Sequence, residues 1–457
     1  MLIRFSVENF LSFNNRQSFS MLPGKGTLKA DHKSSKIKGI STLKAAVIFG
    51  ANASGKSNLI KAIDFGQKLV LRGTRPEHAI DFQSFRLNDS KSSADSRIEY
   101  EIQHKGKNYA YGFSFSHDSI KEEWLYEIGA SKEVKIFERN IENNEIFDLG
   151  YIISKLKKEE QKQFLSFTAK GTPNNQLFLN EIRTRRVKEN VPQIEDLLNV
   201  IDWFQNSLNV IFPEDKYNEG LKFEIKQDEG LSKLFEQFLD YFDTGIDGIC
   251  LEKVENDNTI EIPQKILRDI KEDLLNTKSE NRCAVVSKGN NSTYFISLKN
   301  KDLAIEKLMT KHKVKGSDKH EKFDMADESD GTNRIMDFIP LLMDLLKGDN
   351  VFIIDEMERS LHPNLIYDLL DLFLSNAKDI NSQIILASHE STLLTQKLLR
   401  KDEIWFVVKD QWGASNLHSL EQYNVRFDKE IRKDYLLGRF KAIPRIGNRN
   451  KLTVINK

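Results

Sequence analysis

Eight residues constrain this chain more than any others. Gly50-Ala51-Asn52-Ala53-Ser54-Gly55-Lys56-Ser57 fits the spacing G-x-x-x-x-G-K-[ST], directly after the apolar run Ala45-Ala46-Val47-Ile48-Phe49. Such a loop turns backbone N–H groups inward around a phosphate chain, so glycine stands where φ is positive or the backbone comes close. The residues behind it (Leu59, Ile60, Ala62, Ile63, Phe65, Leu69, Val70) have helical spacing. A helix over 58–70 therefore points its N-terminus at the anion. Lys56 then reaches the β/γ-phosphates, the Ser57 hydroxyl ligates Mg2+, and Asn58 ends the phosphate-binding stretch. A glycine turn with a solvated lysine would read the same in isolation. The strand before it and the helix after it argue against that.

A second buried strand, Val351-Phe352-Ile353-Ile354, ends in Asp355 and Glu356. In α/β sheets ligands gather at the carboxyl ends of strands. Asp355 is expected to hold Mg2+, directly or through water, and Glu356 to orient and deprotonate an attacking water. The apolar run Gln383–Ser388 delivers His389, with room between it and Asp355 for one helix and a neighbouring strand, which sets His389 beside the γ-phosphate. Between them, Glu358-Arg359-Ser360-Leu361-His362-Pro363 reads as a turn whose proline opens the next helix. Upstream, Glu328-Ser329-Asp330-Gly331-Thr332-Asn333-Arg334 places small hydroxyl residues and a glycine before a helix, a second potential anion-binding turn.

The last third alternates helix (333–347), strand (351–355), helix (364–376), strand (383–388), helix (391–399) and strand (403–408), the pattern of an open α/β sheet. Residues 2–10 read as a strand, 22–44 as a loop, and 97–128 as a strand meander. Residues 151–280 carry apolar residues three and four apart and little proline, so they read as mostly helical, and 310–328 as a charged loop. The expected organisation is an N-terminal lobe over 1–150, a helical insertion over 151–283 and a C-terminal lobe over 284–457.

With 68 basic against 68 acidic residues, the surface as a whole is no nucleic-acid glove. No run approaches the roughly 20 apolar residues of a bilayer span, and the opening MLIRFSVENF lacks a signal peptide's apolar core. Cys250 and Cys283 build no disulfide framework, so the expected setting is the reducing cytoplasm without membrane partners.

These motifs in this order resemble the ABC-type ATPases of the SMC, RecF and OLD kind, an α/β P-loop head with an insertion between phosphate loop and signature. Asn9-Phe10-Leu11-Ser12-Phe13 looks like their first-strand segment, which touches the nucleotide base. The signature reads Ser329-Asp330-Gly331-Thr332 instead of the transporter LSGGQ. Together with Asp402–Val407 and Tyr435–Pro444, it resembles the OLD-like AAA-type ATPases of bacterial abortive-infection and anti-phage loci. The resemblance implies ATP and Mg2+ as ligands and a head-to-tail dimer or higher homo-oligomer. Lys56, Ser57, Asp355, Glu356 and His389 would act from one subunit, with Ser329, Gly331 and Thr332 from the other. Gln83 is a candidate for the glutamine that joins Mg2+ to the insertion.

OLD nucleases append a Toprim domain after the switch histidine. The stretch after His389 is too short for one, and Glu403 and Asp410 flank an aromatic strand without forming a metal cluster. The chain is therefore expected to be an ATPase that senses and scaffolds, with a separately encoded nuclease or toxin as effector. A DNA-maintenance ATPase of the RecF or SMC kind is the alternative, and a transporter ATPase is disfavoured by the signature. Two basic features, Arg183/Arg185/Arg186/Lys188 and the tail over 426–457, are candidates for contact with DNA or a phage component. Solvated charges on a docked tail are the competing reading.

Overall fold

Three strands buried along their whole length dictate the central layer. Ala45–Phe49, Val351–Asp355 and Gln383–Ala387 are continuous apolar runs, which suits strands covered on both faces. The sheet order is Ser415–Ser419, Ile404–Lys409, Ala45–Phe49, Gln383–Ala387, Val351–Asp355, Leu208–Ile211. All neighbours are parallel except the first pair. The computed structural model describes residues 1–75, 77–91, 94–129, 131–215, 217, 228–254, 262–276, 283–287, 292–300, 302–423 and 430–444. These form two units: residues 1–213, 345–358 and 370–457, and residues 214–344 and 359–369.

The first unit also holds a seven-stranded antiparallel sheet, built on Leu2–Glu8 and the meander Ser96–His104, Lys107–Phe115, Ile120–Ile128 and Glu133–Asn140. The helix Lys56–Arg72 shares one apolar core with both sheets. Gly66 allows its close approach: a Cβ there would lie 2.2 Å from the Tyr100 hydroxyl, which donates to the Ile63 carbonyl at 2.7 Å.

The boundary expected at 150/151 is displaced. The helices Gly150–Lys155, Glu159–Lys170, Phe178–Thr184 and Glu195–Asp202 bury Ile152, Leu165, Leu179, Leu197 and Val200 in the first unit's core. Leu208–Ile211 then enters the central sheet beside the acidic strand. Apolar spacing announces helices correctly there but not the core they join. The boundary at 283/284 shifts as well, because Cys283–Ser287 pairs with Thr293–Lys299 inside the second unit.

In the second unit an antiparallel sheet runs Gly248–Lys253, Asp302–Lys313, Thr293–Lys299, Cys283–Ser287, with His320–Asp324 paired to Asp302–Lys313. The helices Glu229–Tyr241 and Gln264–Asn276 belong to the same unit. The loop expected at 310–328 is therefore largely a hairpin. Its second strand is largely exposed, and the charge pairs of Lys322 with Glu252 at 3.2 Å and Lys313 with Asp247 at 3.0 Å tie the hairpin to Gly248–Lys253 and the residue before it, so no apolar alternation marks this stretch. The helix expected at 391–399 is one short turn, Ser391–Leu393. Glu390 accepts the Thr392 N–H, and the Thr395 hydroxyl accepts that of Lys397, so side chains take donors that a helix would have used.

Candidate functional site: a phosphate loop backed by an acidic strand

The loop strand runs into Gly50, where a Cβ would meet the Ser54 hydroxyl at 2.5 Å and the Val407 carbonyl at 2.7 Å. Gly55 has φ +112°, and a Cβ there would lie 2.2 Å from the Ser415 hydroxyl and 2.8 Å from that of Ser12. Both glycines are thus demanded by backbone and close approach. Ser415 donates to the Ser54 carbonyl at 2.6 Å, its own N–H bonds the Ser12 carbonyl at 2.8 Å, and Asn58 donates to the Ser12 hydroxyl at 2.8 Å. Asn58, expected at the phosphates, is spent on this brace. Ala51, Asn52 and Ala53 form the accessible lip, with Ala53 at φ +60°.

Lys56 is buried. Its ammonium donates to the Gly50 carbonyl at 2.9 Å, the Ala51 carbonyl at 3.3 Å and His389 Nε2 at 2.9 Å. Burial brings it down to about 8, against the opposing pull of Glu358, Asp355 and Glu356. Nε2 can accept from the ammonium only when His389 is the neutral Nδ1–H tautomer, the assignment this contact implies. Burial, then the Lys56 charge, lower its pKa, which agrees with that assignment. Glu358 accepts the His389 backbone N–H and so holds His389 from the turn after the acidic strand. Sequence reasoning gave Glu358 no role, since its partner lies 31 residues away.

Asp355 is buried, which raises its carboxyl pKa, while a hydrogen bond from the Ser57 hydroxyl works in the other direction. Its Oδ1 is buried without a hydrogen-bond partner, as is Oε2 of Glu358. A hydroxyl beside a carboxylate with an orphaned oxygen is a hard-oxygen set, which fits Mg2+ on Ser57 and Asp355. Glu356 follows with φ +48°, its N–H held by the Ala387 carbonyl at 3.0 Å. The loop, both carboxylates and the histidine therefore converge. Gln83 is exposed and meets the first-strand segment through its carbonyl, which accepts the Leu11 N–H at 2.8 Å.

Residues 45–182 and 186–395 match the family described as "AAA domain, putative AbiEii toxin, Type IV TA system". The chain belongs to this AAA-domain family. Its fold is mixed α/β, a mostly parallel sheet behind the glycine loop beside an antiparallel one. No curated protein sequence matches it. Among solved structures it is similar to the SMC head domain from Thermotoga maritima (11% identity, TM-score 0.37, covering 92% of this chain and 98% of that one). It is also similar to an SmcHead bound to the C-winged helix domain of ScpA (13%, 0.40, 92% and 98%). A third is an Smc head with an extended coiled coil bound to the C-terminal domain of ScpA derived from Pyrococcus furiosus (13%, 0.36, 96% and 99%).

The turn Ser329–Thr332 of this AAA-family chain, expected as its signature, lies in the second unit. The Ser329 hydroxyl accepts the Thr332 N–H at 3.1 Å and sits 2.8 Å from the Thr332 hydroxyl, capping the helix Asp330–Lys347. Glu328 is held by Thr310 at 2.6 Å and His312 at 2.7 Å. Gly331 packs against Ser360, whose carbonyl would be 3.0 Å from an added Cβ.

The basic features are partly consumed. Arg183 donates to the Leu71 carbonyl at 2.7 Å, and Arg185 pairs with Glu181 at 2.5 Å. In the tail Arg439 pairs with Asp434 at 2.7 Å, and Arg432 reaches Ser391 at 3.2 Å. Phe440 and Tyr435 stack on Phe406 at 4.7 and 6.0 Å between ring centroids, docking the Tyr435–Pro444 motif on the sheet. Arg426, Lys429, Arg445, Arg449, Lys451 and Lys457 lie outside the described residues. Glu403 is buried against His32 at 2.9 Å, and Asp410 caps its own turn, accepting the Trp412 and Ala414 N–H groups. No described helix is long and apolar enough to cross a membrane.

Proposed function

We propose that the chain binds and hydrolyses ATP at this site, and that its nucleotide state controls a separately encoded effector in an abortive-infection system. The carrying observation is the convergence of Lys56, His389, Asp355 and Glu356 on one glycine loop. Lys56 leaves neutral acceptors and the histidine for a phosphate oxygen, a stronger charge-assisted bond. Glu356 accepts the proton of the attacking water, and His389, positioned by Glu358 and protonated on Nε2 once Lys56 has turned to the phosphate, donates to the terminal phosphate. Bound Mg2+ neutralises developing phosphate charge. Ser329, Gly331 and Thr332 complete the site of a second subunit, so that ATP holds two heads together.

The family description names a toxin, whereas this reading gives the chain the ATP-dependent control. Its support is that Glu403 and Asp410, the acids flanking the aromatic strand Ile404–Lys409, are engaged in internal hydrogen bonds. An effector responds only if it binds the nucleotide states with different affinity. Expressed alone, the chain should leave growth unchanged and cut no nucleic acid. Co-expressed with its neighbouring gene, it should co-purify with that product and confer phage resistance that Lys56→Ala abolishes. Toxicity of the chain alone, or resistance with the neighbour deleted, overturns the effector assignment.

A further inference from the structure

The lip of the phosphate loop is also one wall of a cavity of about 850 Å3. The other walls are the turn between the strands Ile404–Lys409 and Ser415–Ser419, with Lys409, Trp412, Asn416 and His418, and the tail residues Lys441, Ile443 and Pro444. Sheet order gives this position a meaning. The loop strand lies between Gln383–Ala387 and Ile404–Lys409, and the acidic strand lies beyond Gln383–Ala387. Asp355, Glu356 and His389 thus stand on one flank of the loop and the cavity on the other. A triphosphate whose terminal group faces the acids and histidine leaves the loop on the opposite flank, toward the hairpin turn.

We infer that this cavity takes the nucleoside of the bound triphosphate, with Trp412 as a stacking platform for the base and the ammonium groups of Lys409 and Lys441 beside the ribose and inner phosphate. The inference rests on the ATP-binding reading of the loop and adds its base subsite. Three observations carry it. Trp412 is 71% exposed, whereas Trp124, Trp203 and Trp405 are 8%, 0% and 7% exposed. An indole left in water next to a phosphate cradle is a platform for a flat partner. Its backbone is preorganised: Asp410 accepts the Trp412 N–H at 2.8 Å and the Ala414 N–H at 2.9 Å, and Gly413 turns at φ +82°. The hairpin is also tied to the loop by the bond from Ser415 to the Ser54 carbonyl, so platform and cradle hold a fixed spacing.

The first-strand segment, by contrast, is largely committed inward. Asn9 donates to the Lys91 and Ala94 carbonyls and accepts the Phe85 N–H, Phe10 and Phe13 are buried, and Ser12 braces Asn58 and Ser415. The cavity volume also lies within the range of about 300–1,000 Å3 usual for small-molecule sites.

The test compares Mg–ATP with Mg–inorganic triphosphate, by calorimetry and by tryptophan emission, on the full chain, Trp412→Ala and Trp412→Phe. The parent should bind ATP on the order of ten-fold more tightly than triphosphate, and Trp412→Ala should lose about that factor for ATP alone. Trp412→Phe should keep most of the affinity but lose the emission change that ATP causes in the parent. Unchanged triphosphate binding by Trp412→Ala shows that the phosphate loop is still folded. Equal affinity of the parent for both ligands, or parental ATP affinity in Trp412→Ala, overturns the subsite while leaving the ATP reading intact. If neither ligand binds the parent, the ATP reading itself falls, and the subsite with it.

Discussion

Glu356 is a non-glycine residue held at φ +48°, a conformation costing on the order of 1 kcal/mol. Its amide is fixed by Ala387, so the surrounding sheet maintains the strained turn. Strain retained next to a phosphate loop is consistent with a side chain that must point at a particular atom. Glu356→Gln preserves size and leaves the Ala387 bond intact but removes the proton acceptor. ATP binding should therefore persist while turnover falls by about two orders of magnitude or more. Phosphate release compared with equilibrium nucleotide binding separates the two effects, and a parental turnover rate would remove Glu356 from the role of base. Lys56→Ala should lose binding itself, since in the proposed site the ammonium is the phosphate ligand.

At the scale of elements, a buried ion pair ties the antiparallel sheet to the helix Phe178–Thr184. Glu123 on the strand Ile120–Ile128 accepts the Phe178 N–H at 2.6 Å, the Leu179 N–H at 3.2 Å and the Tyr111 hydroxyl at 3.0 Å. Arg139 stands 4.0 Å from that carboxylate and donates to the Gln176 and Pro173 carbonyls. Burial raises the Glu123 pKa and lowers that of Arg139, and each charge opposes the shift of the other. Removing one partner leaves the other as an uncompensated buried charge. Glu123→Ala should cost about 3–5 kcal/mol of stability, read from denaturant unfolding. A loss below about 1 kcal/mol would mean that Arg139 finds compensation elsewhere.

For the whole molecule the question is whether one chain contains a complete site. The signature belongs to the second unit and the loop to the first, and in the proposed assembly they meet across subunits. Because Ser329 caps its helix, a bulky replacement would confuse loss of the cap with loss of phosphate contact. Ser329→Asp keeps an N-cap acceptor but sets a negative charge against the phosphate. Lys56→Ala and Ser329→Asp should each be inactive alone. Their equal mixture should recover up to roughly a quarter of parental ATPase, since half the dimers are mixed and each carries one intact site. No recovery, with subunit exchange confirmed by differently tagged chains, would count against a shared site.

The conformation of the loop was legible from residues alone because it is local: Gly50–Ser57 is one short stretch, and the strands Ala45–Phe49 and Val351–Asp355 are apolar runs whose ends coincide with those in the structure. Buried parallel strands announce themselves by composition, and a phosphate-binding turn by glycine and lysine spacing. The brace on that turn was not legible, since Ser415 reaches Ser54 across 361 residues and Glu358 holds His389 across 31. The charged hairpin Asp302–Lys313/His320–Asp324 was hidden because its second strand is exposed and charged and carries no apolar alternation. The helices between 150 and 202 were readable, but which core received them was not. Periodicity reports that a face will be buried, whereas the identity of the surface burying it is a property of residues far apart in the chain. Local chemistry was thus set by sequence, and the framing of the site by tertiary contacts.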